Sequence, residues 1–181
     1  MLEAAGVAFV AVPASIEERA IEAEMTDSAP GEIAQALAAA KAAAVSAQHP
    51  GVWVLGSDSL IEVASVRFDK PVSRANAAEH LRIFSGQVMT LHSAAALARD
   101  GRIDWVAGDF ARLSVRPLSE DFISAYLEAE WPAIASCVGA FRIEGPGPQM
   151  FERIVGDQFT VLGMPLLPVL DALRERGVLL A

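Results

Sequence analysis

The stretch that decides the fold is apolar at its start and carries an acid near its end: Val52-Trp53-Val54-Leu55-Gly56-Ser57-Asp58-Ser59. Four consecutive apolar residues without polar alternation predict a strand that is buried on both faces. We therefore expect Asp58 just past the carboxyl end of a buried strand, where open α/β sheets bind their ligands. A turn stabilised by the aspartate side chain explains the same residue equally well.

Helices and further strands are predicted on both sides of this stretch. Cap and breaker residues predict four helices, which begin near Pro30, Ser73, Ser119 and Pro165. Apolar runs predict strands at residues 7–12, 60–63, 65–68, 89–97 and 105–115. Because strands and helices interleave, we expect an α/β fold: a single domain, residues 1–181, with a mixed central sheet flanked by helices.

Composition narrows the function classes. The chain of 181 residues is 53% hydrophobic and 20% charged, which is enough for one buried core. Its net charge of −9 argues against a general nucleic-acid binder, because such proteins present a basic face. No apolar run approaches the roughly 18 residues of a membrane helix, and the first residues lack the basic flank of a signal peptide. With Cys137 as the single cysteine, we expect a cytoplasmic protein without nucleic-acid or membrane partners.

Lys41 is the most informative charged residue. Ile33, Leu37 and Lys41 are spaced four residues apart, so they share one face of a helix. A lysine on the face that should cover the core either extends its ammonium group to water, the commoner case, or meets an anion. Lys70 lies in a predicted loop, where a solvated charge is the ordinary interpretation.

Three acidic residues lie where a ligand could approach. Glu17 and Glu18 are adjacent, and paired carboxylates can hold a divalent metal or orient water, although a solvated loop is commoner. Glu144 lies in the glycine-rich segment Gly139 to Gly147, which would allow a ligand to come close, although a surface turn is again commoner. No Walker A or GxGxxG pattern accompanies these acids.

The order of several short motifs resembles the Maf family over essentially the whole chain. The motifs are Ile16-Glu17-Glu18, Leu37-Ala38-Ala39-Ala40-Lys41, Gly56-Ser57-Asp58, Lys70-Pro71, Ser85-Gly86, Arg116-Pro117-Leu118-Ser119, Phe151-Glu152-Arg153-Ile154 and Gly163-Met164-Pro165. The resemblance implies a Maf/ITPase-like α/β fold and a hydrolase that converts a nucleoside triphosphate to the monophosphate and pyrophosphate. It also implies a divalent metal cation, Mg²⁺ or Mn²⁺, and a homodimer, the state in which many family members occur.

The resemblance assigns roles to individual residues. Asp58 would be the general base that activates water, and Lys41 and Lys70 would neutralise phosphate oxygens during the displacement. Glu18 and Asp58 would hold the metal, and Glu18 would also help to position the attacking water.

The chain departs from the family pattern at three places. The family begins with a strand and a Ser-x-Ser-Pro-Arg-Arg loop that binds phosphates, and we expect both to be missing here. Glu17 stands where the family has Asp, and Asp69 stands where it has the Gly before Lys70-Pro71. Because lysines do not replace the bidentate phosphate contacts of an arginine pair, a non-catalytic nucleotide-binding or cell-division regulator is the alternative function.

Glu144 also indicates a substrate. Many family members have Gln at this position and favour pyrimidine nucleotides, whereas a branch with Ser-Glu-Gly-Leu-Gly is associated with 7-methyl-GTP. Ile143-Glu144-Gly145 resembles the second branch. A carboxylate only accepts hydrogen bonds, and guanine offers adjacent N1 and N2 donors, while N7 methylation adds positive charge to the base. We therefore predict 7-methyl-GTP as substrate, with dTTP or UTP as the alternative.

Overall fold

The computed structural model describes residues 1–180 and has the α/β fold that the sequence predicts. The helices in this range are α1 (Glu18–Glu24), α2 (Pro30–Ser46), α3 (Arg74–Phe84), α4 (Glu120–Glu130), α5 (Gln158–Val161) and α6 (Leu166–Glu175). The strands are β1 (Val54–Val63), β2 (Val66–Phe68), β3 (Val88–Arg99), β4 (Arg102–Val115) and β5 (Phe151–Val155). They form one sheet in the order β2-β1-β3-β4-β5. The α/β class is confirmed, but the sheet is antiparallel, whereas the sequence predicts a mixed sheet.

The chain divides into two compact units, and each of the strands β1, β3 and β4 contributes residues to both units. The first unit contains residues 1–59, 92–110 and 157–180, and the second contains residues 60–91 and 111–156. None of the helices within residues 1–180 combines the length and the apolar character that crossing a bilayer requires.

Strand β1, which contributes to both units, begins at Val54 rather than at Val52 and is longer than the sequence predicts. It continues without a break through Asp58 and includes residues 60–63, which we expected to be a separate strand. Asp58 therefore lies in the middle of a strand, neither past its end nor in a turn. Strand β1 is hydrogen-bonded to β2 on one side and to β3 on the other, which extends it past the predicted turn. The hydroxyl groups of Ser57 and Ser59 donate to the carbonyl of Gly163, at 3.1 and 3.0 Å.

Residues 7–12 do not form the strand that their β-propensity predicts. They have no regular secondary structure, and of their apolar side chains Phe9 is 57% and Val10 is 87% exposed. No strand of the described sheet pairs with this segment. Strand propensity mostly reflects packing against neighbouring strands, so a segment without such a neighbour does not express it.

Two further features of the first unit confirm predictions. Helix α6 follows Pro165 and packs Val169 and Leu173 into a core cluster with Ala95 and Leu97 of β3. Strands β3 and β4, both predicted, are joined by two residues, Asp100 and Gly101, with φ values of 53° and 75°. A positive φ at both central positions is the requirement of the hairpin turn whose twist matches that of the strands.

In the second unit, α3 and α4 begin at the serines that the sequence predicts as caps. Ser73 Oγ accepts a hydrogen bond from the backbone N–H of Asn76 at 3.1 Å, and Ser119 Oγ accepts one from that of Phe122 at 3.2 Å. These bonds satisfy backbone donors that the first helical turn leaves without a partner. The predicted apolar side of α4 is buried at Ile123, Tyr126 and Leu127.

Candidate active site

The first unit brings together three of the residues that the sequence singles out. The Lys41 Nζ atom on α2 lies 2.5 Å from Asp58 Oδ1 on β1 and 3.0 Å from Glu18 Oε1 at the start of α1. Asp58 is the most enclosed of the three, with its side chain 11% exposed, while Lys41 is 21% and Glu18 is 47% exposed. We call these three residues the acid–lysine cluster.

The periodicities of the helix and the strand place the side chains of Lys41 and Asp58 on facing sides of α2 and β1. Lys41 lies one turn after Leu37, which is buried, so its side chain extends along the inner edge of α2. Side chains alternate along a strand, so Asp58 and the position two residues before it, Gly56, share the face of β1 that meets α2.

Gly56 allows the helix and the strand to approach closely. A methyl group placed on Gly56 would lie 2.3 Å from the carbonyl oxygen of Ala38 and 2.7 Å from the backbone nitrogen of Ala42. Both atoms belong to the turn of α2 that carries Lys41. Only a residue without a side chain fits there, so Gly56 sets the spacing at which Lys41 reaches Asp58.

The electrostatics of the cluster keep Lys41 charged. Burial of the ammonium group opposes its charge, but the hydrogen bonds to Asp58 and Glu18 and the negative charges of both outweigh burial, and the pKa of Lys41 is raised above 10.5. The sequence left open whether the ammonium group of Lys41 extends to water or meets an anion, and the structure shows that it meets two carboxylates. One cation between two acids leaves a cluster that is formally negative by one charge.

The opposite face of β1 is fixed by a set of hydroxyl groups that the sequence analysis missed. Ser59 Oγ and Ser93 Oγ lie 3.0 Å apart, and Ser93 Oγ donates to the carbonyl oxygen of Thr160 at 2.8 Å. Thr160 Oγ1 in turn donates to Asp109 Oδ2 at 2.7 Å. The only signal in the sequence for these contacts is the alternation of side chains along a strand. If residues 56 and 58 lie on one face of β1, residues 57 and 59 lie on the other.

The remaining predicted site residues are not members of the cluster. Glu17 is exposed at the residue before α1 and makes no capping hydrogen bond. Lys70 and Glu144 belong to the second unit, where both are exposed; Lys70 lies between β2 and α3, and Glu144 lies in a turn. Their predicted roles stay predictions.

Glu18 and Asp58 have the donor chemistry for a divalent metal. Within residues 1–180, no group of three or more His, Cys, Asp or Glu side chains is close enough to hold an ion. Mg²⁺ commonly uses one or two protein carboxylates and takes its other ligands from water and substrate phosphates. Two carboxylates around one ammonium group therefore fit an ion that arrives with a phosphorylated substrate.

A second charged cluster, also missed by the sequence analysis, lies in the second unit. The Arg142 guanidinium donates two hydrogen bonds to the carboxylate of Glu130, at 2.8 and 3.1 Å. Glu130 is only 5% exposed, and its hydrogen bonds with Arg142, followed by its negative charge, raise the pKa of Arg142 above its ordinary value. The two residues are twelve positions apart, so no helix or strand spacing indicates the pair.

The fold and the acid–lysine cluster define an α/β protein with a compact acid–base centre held between helices and the central sheet. The chain belongs to the Maf-like protein family, whose sequence profile matches residues 1–176. It is 45% identical over 179 residues to a nucleoside triphosphate pyrophosphatase from Nitrobacter hamburgensis, covering 99% of this chain and 89% of that protein. It is 46% identical over 181 residues to a 7-methyl-GTP pyrophosphatase from Rhizobium etli, covering 99% and 91%. A nucleoside triphosphate pyrophosphatase from Paramagnetospirillum magneticum is 41% identical over 181 residues, covering 99% and 93%.

Proposed function

We propose that this protein hydrolyses nucleoside triphosphates to the nucleoside monophosphate and pyrophosphate. The observation that carries the proposal is the acid–lysine cluster, in which Lys41 bridges Asp58 and Glu18. The names of its relatives, nucleoside triphosphate pyrophosphatase and 7-methyl-GTP pyrophosphatase, support the same reaction class.

Asp58 is the general base of the proposed reaction. Its carboxylate takes a proton from a water molecule as the water oxygen attacks the α-phosphorus. The bond between the α-phosphorus and the bridging oxygen to the β-phosphate breaks, and pyrophosphate leaves with the bonding electron pair. A positioned base of this kind contributes about 10²- to 10⁴-fold to the rate.

Lys41 has two tasks in this scheme. In the free protein its ammonium group, 2.5 Å from Asp58 Oδ1, holds the carboxylate in a defined orientation. When a triphosphate binds, the same fixed cation lies next to the negative charge that develops on the phosphate oxygens. Lys70 is proposed as a second cation for the phosphates.

Glu18 and Asp58 would hold a divalent cation, Mg²⁺ or Mn²⁺, together with the phosphates of the substrate. When bound, the ion supplies neutralisation of phosphate charge. Glu18 also orients Lys41 from the side opposite Asp58, with its Oε1 atom 3.0 Å from the ammonium nitrogen.

We further propose 7-methyl-GTP as the preferred substrate, with Glu144 as the group that recognises the base. The relative from Rhizobium etli, which is named for this nucleotide, supports the preference. A carboxylate accepts hydrogen bonds from the adjacent N1 and N2 donors of guanine, and it also favours the positive charge that N7 methylation adds.

We propose the cytoplasm as the location of the protein, and a homodimer without nucleic-acid or membrane partners as its state. The single cysteine supports the cytoplasmic location, and the net charge of −9 argues against a nucleic-acid partner. The homodimer is what the resemblance to the family implies.

The test is Asp58→Asn with Asp171→Asn as the matched control, because Asp171 is an exposed aspartate of the same unit. Pyrophosphate release from 7-methyl-GTP, GTP, dTTP and UTP is measured with Mg²⁺, and binding is measured with a non-hydrolysable triphosphate. We expect D58N to lower kcat by about 10²- to 10⁴-fold with binding largely kept, and D171N to match the unaltered protein. Unchanged turnover in D58N would remove Asp58 from the role of base. Binding without pyrophosphate release in the unaltered protein would favour the non-catalytic regulator.

A further inference from the structure

The ion pair between the buried Glu130 and the partly exposed Arg142 lies close to the segment that carries Glu144. Glu130 is at the end of α4 and is 5% exposed. Arg142 Nε lies 2.8 Å from Glu130 Oε2, and Arg142 Nη2 lies 3.1 Å from Oε1, so the pair has bidentate geometry. Neither residue has a task in the proposed reaction.

The backbone that follows Arg142 folds back onto this pair. A methyl group placed on Gly145 would lie 3.2 and 3.3 Å from the two carboxylate oxygens of Glu130. A methyl group on Gly147 would lie 2.3 Å from the carbonyl oxygen of Arg142, so the closed turn requires glycine there. The backbone N–H of Gly145 donates to that same carbonyl at 3.3 Å. Glu144 therefore lies between Arg142, one member of the pair, and Gly145, which lies close to the carboxylate of the other.

The chain that enters this turn is also fixed on α4. The buried hydroxyl of Tyr126 donates to the carbonyl oxygen of Ala140 at 3.4 Å. Phe141 packs edge-on against Phe151, with ring centroids 4.9 Å apart. The turn that carries Glu144 is thus held at its start by packing and at its centre by charge.

The Arg142 side chain stays 41% exposed, so only the Glu130 carboxylate is taken out of water, and the cost of doing so offsets much of its attraction to Arg142. The pair ties the side chain at the start of the turn to the end of α4, and the same carboxylate lies close to Gly145. The turn concerned comprises residues 142–147.

We propose that Glu130 is a positioning residue for nucleobase recognition, which acts through Arg142 and Gly145 to fix the backbone on both sides of Glu144. The inference rests on the proposed function, in which the Glu144 carboxylate contacts the edge of the base. Glu130 itself does not touch the substrate. Replacing Glu130 therefore changes the preference between nucleobases, while the catalytic step at Asp58 does not depend on this residue.

The test compares Glu130→Gln with Glu120→Gln, a matched control in the same unit. Glu120 also receives two hydrogen bonds from an arginine, Arg82, both at 2.8 Å, but its side chain is 68% exposed. The readout is the ratio of kcat/KM for 7-methyl-GTP to that for UTP. We expect E130Q to lower this ratio by about tenfold, chiefly through KM for 7-methyl-GTP, because a displaced charged hydrogen bond weakens binding on that scale. E120Q leaves the ratio unchanged.

A third variant, Glu144→Gln, separates failure of the inference from failure of the proposed substrate. A ratio that falls in E144Q but not in E130Q would overturn the positioning role alone. A ratio that stays constant in E144Q would overturn base recognition by Glu144 and the inference with it. An equal loss for both nucleotides in E130Q, accompanied by a lower Tm, would assign Glu130 to the fold only and overturn the inference.

Amide hydrogen exchange tests the same inference without turnover. The amides of residues 143 to 147, apart from Pro146, are expected to exchange faster in E130Q than in E120Q. Equal exchange rates in the two variants would overturn the positioning role whatever the activities are.

Discussion

Replacing Gly56 by Ala tests the link between helix packing and the acid–lysine cluster. The new methyl group would lie 2.3 Å from the carbonyl oxygen of Ala38, whereas carbon and oxygen atoms in contact are normally more than 3 Å apart. Helix α2 and strand β1 must therefore separate by about 1 Å at this point. The contact between Lys41 and Asp58, 2.5 Å in the intact protein, lengthens with them.

The cost of this separation has a stability part and a catalytic part. Forcing a methyl group into a packed interface costs about 1–3 kcal/mol, and for a domain of this size each kcal/mol lowers Tm by about 2–4 °C. A displacement of about 1 Å among catalytic groups lowers turnover by about 10²-fold. We therefore expect G56A to fold, to melt several degrees lower and to lose far more turnover than stability.

The assay combines pyrophosphate release, thermal melting and the pKa of Lys41, which ¹³C-methylated lysine reports in NMR spectra. In G56A that pKa should fall toward 10.5, because the hydrogen bonds that raise it are weakened. Gly31→Ala is the control on the same helix, since its methyl group would meet only His92 Nδ1, at an ordinary 3.4 Å. If G56A keeps both the raised pKa and the turnover of the intact protein, Gly56 does not set the geometry of the cluster.

Two predictions concern pH. The pKa of Lys41 is raised because its contacts with Asp58 and Glu18 outweigh burial, and the pKa of Tyr126 is raised by burial and by the charge of Glu130. Each group therefore contributes stability that is fully present below the pKa it has in the unfolded chain. This stability is lost as pH rises past about 10. Urea unfolding from pH 8 to 11 should show this alkaline loss, with Lys41→Met and Tyr126→Phe each removing part of it; an unchanged loss in both variants would contradict the assignment. Burial lowers the pKa of His80 despite the charges of Glu79 and Asp69, so the folded protein resists protonation of this ring and loses stability as pH falls below 6.5. The drop in urea midpoint between pH 7.5 and 5.5 should be smaller in His80→Gln, and an equal drop would show that His80 does not cause it.

Local signals predicted much of the secondary structure. Ser73 and Ser119 were identified as helix caps, and both accept the capping hydrogen bond, because capping involves residues only three positions apart. The prediction failed where a partner far along the chain decides the outcome. Residues 7–12 have strand propensity but no neighbouring strand, whereas β1 continues through Asp58 because it pairs with β3, which begins some thirty positions later in the chain.

The candidate site also has features that the sequence predicts and features that it does not. The resemblance to a known family singled out Lys41, Asp58 and Glu18, and helix periodicity placed Lys41 on the inner face of α2. The distances among the three groups could not be predicted, since they depend on how closely α2 packs on β1 at Gly56. The Glu130–Arg142 pair had no local signal at all, because it joins the end of a helix to an irregular segment.

By itself, the sequence determined the α/β class, most helix and strand positions, and the residue types available for chemistry, because propensity, capping and periodicity act between residues close in the chain. Only the tertiary structure decided that an ammonium group lies between two carboxylates, and that Arg142 pairs with the buried carboxylate of Glu130. Electrostatic contacts depend on separations of a few ångströms between groups distant in sequence, and those separations exist only after the chain has packed.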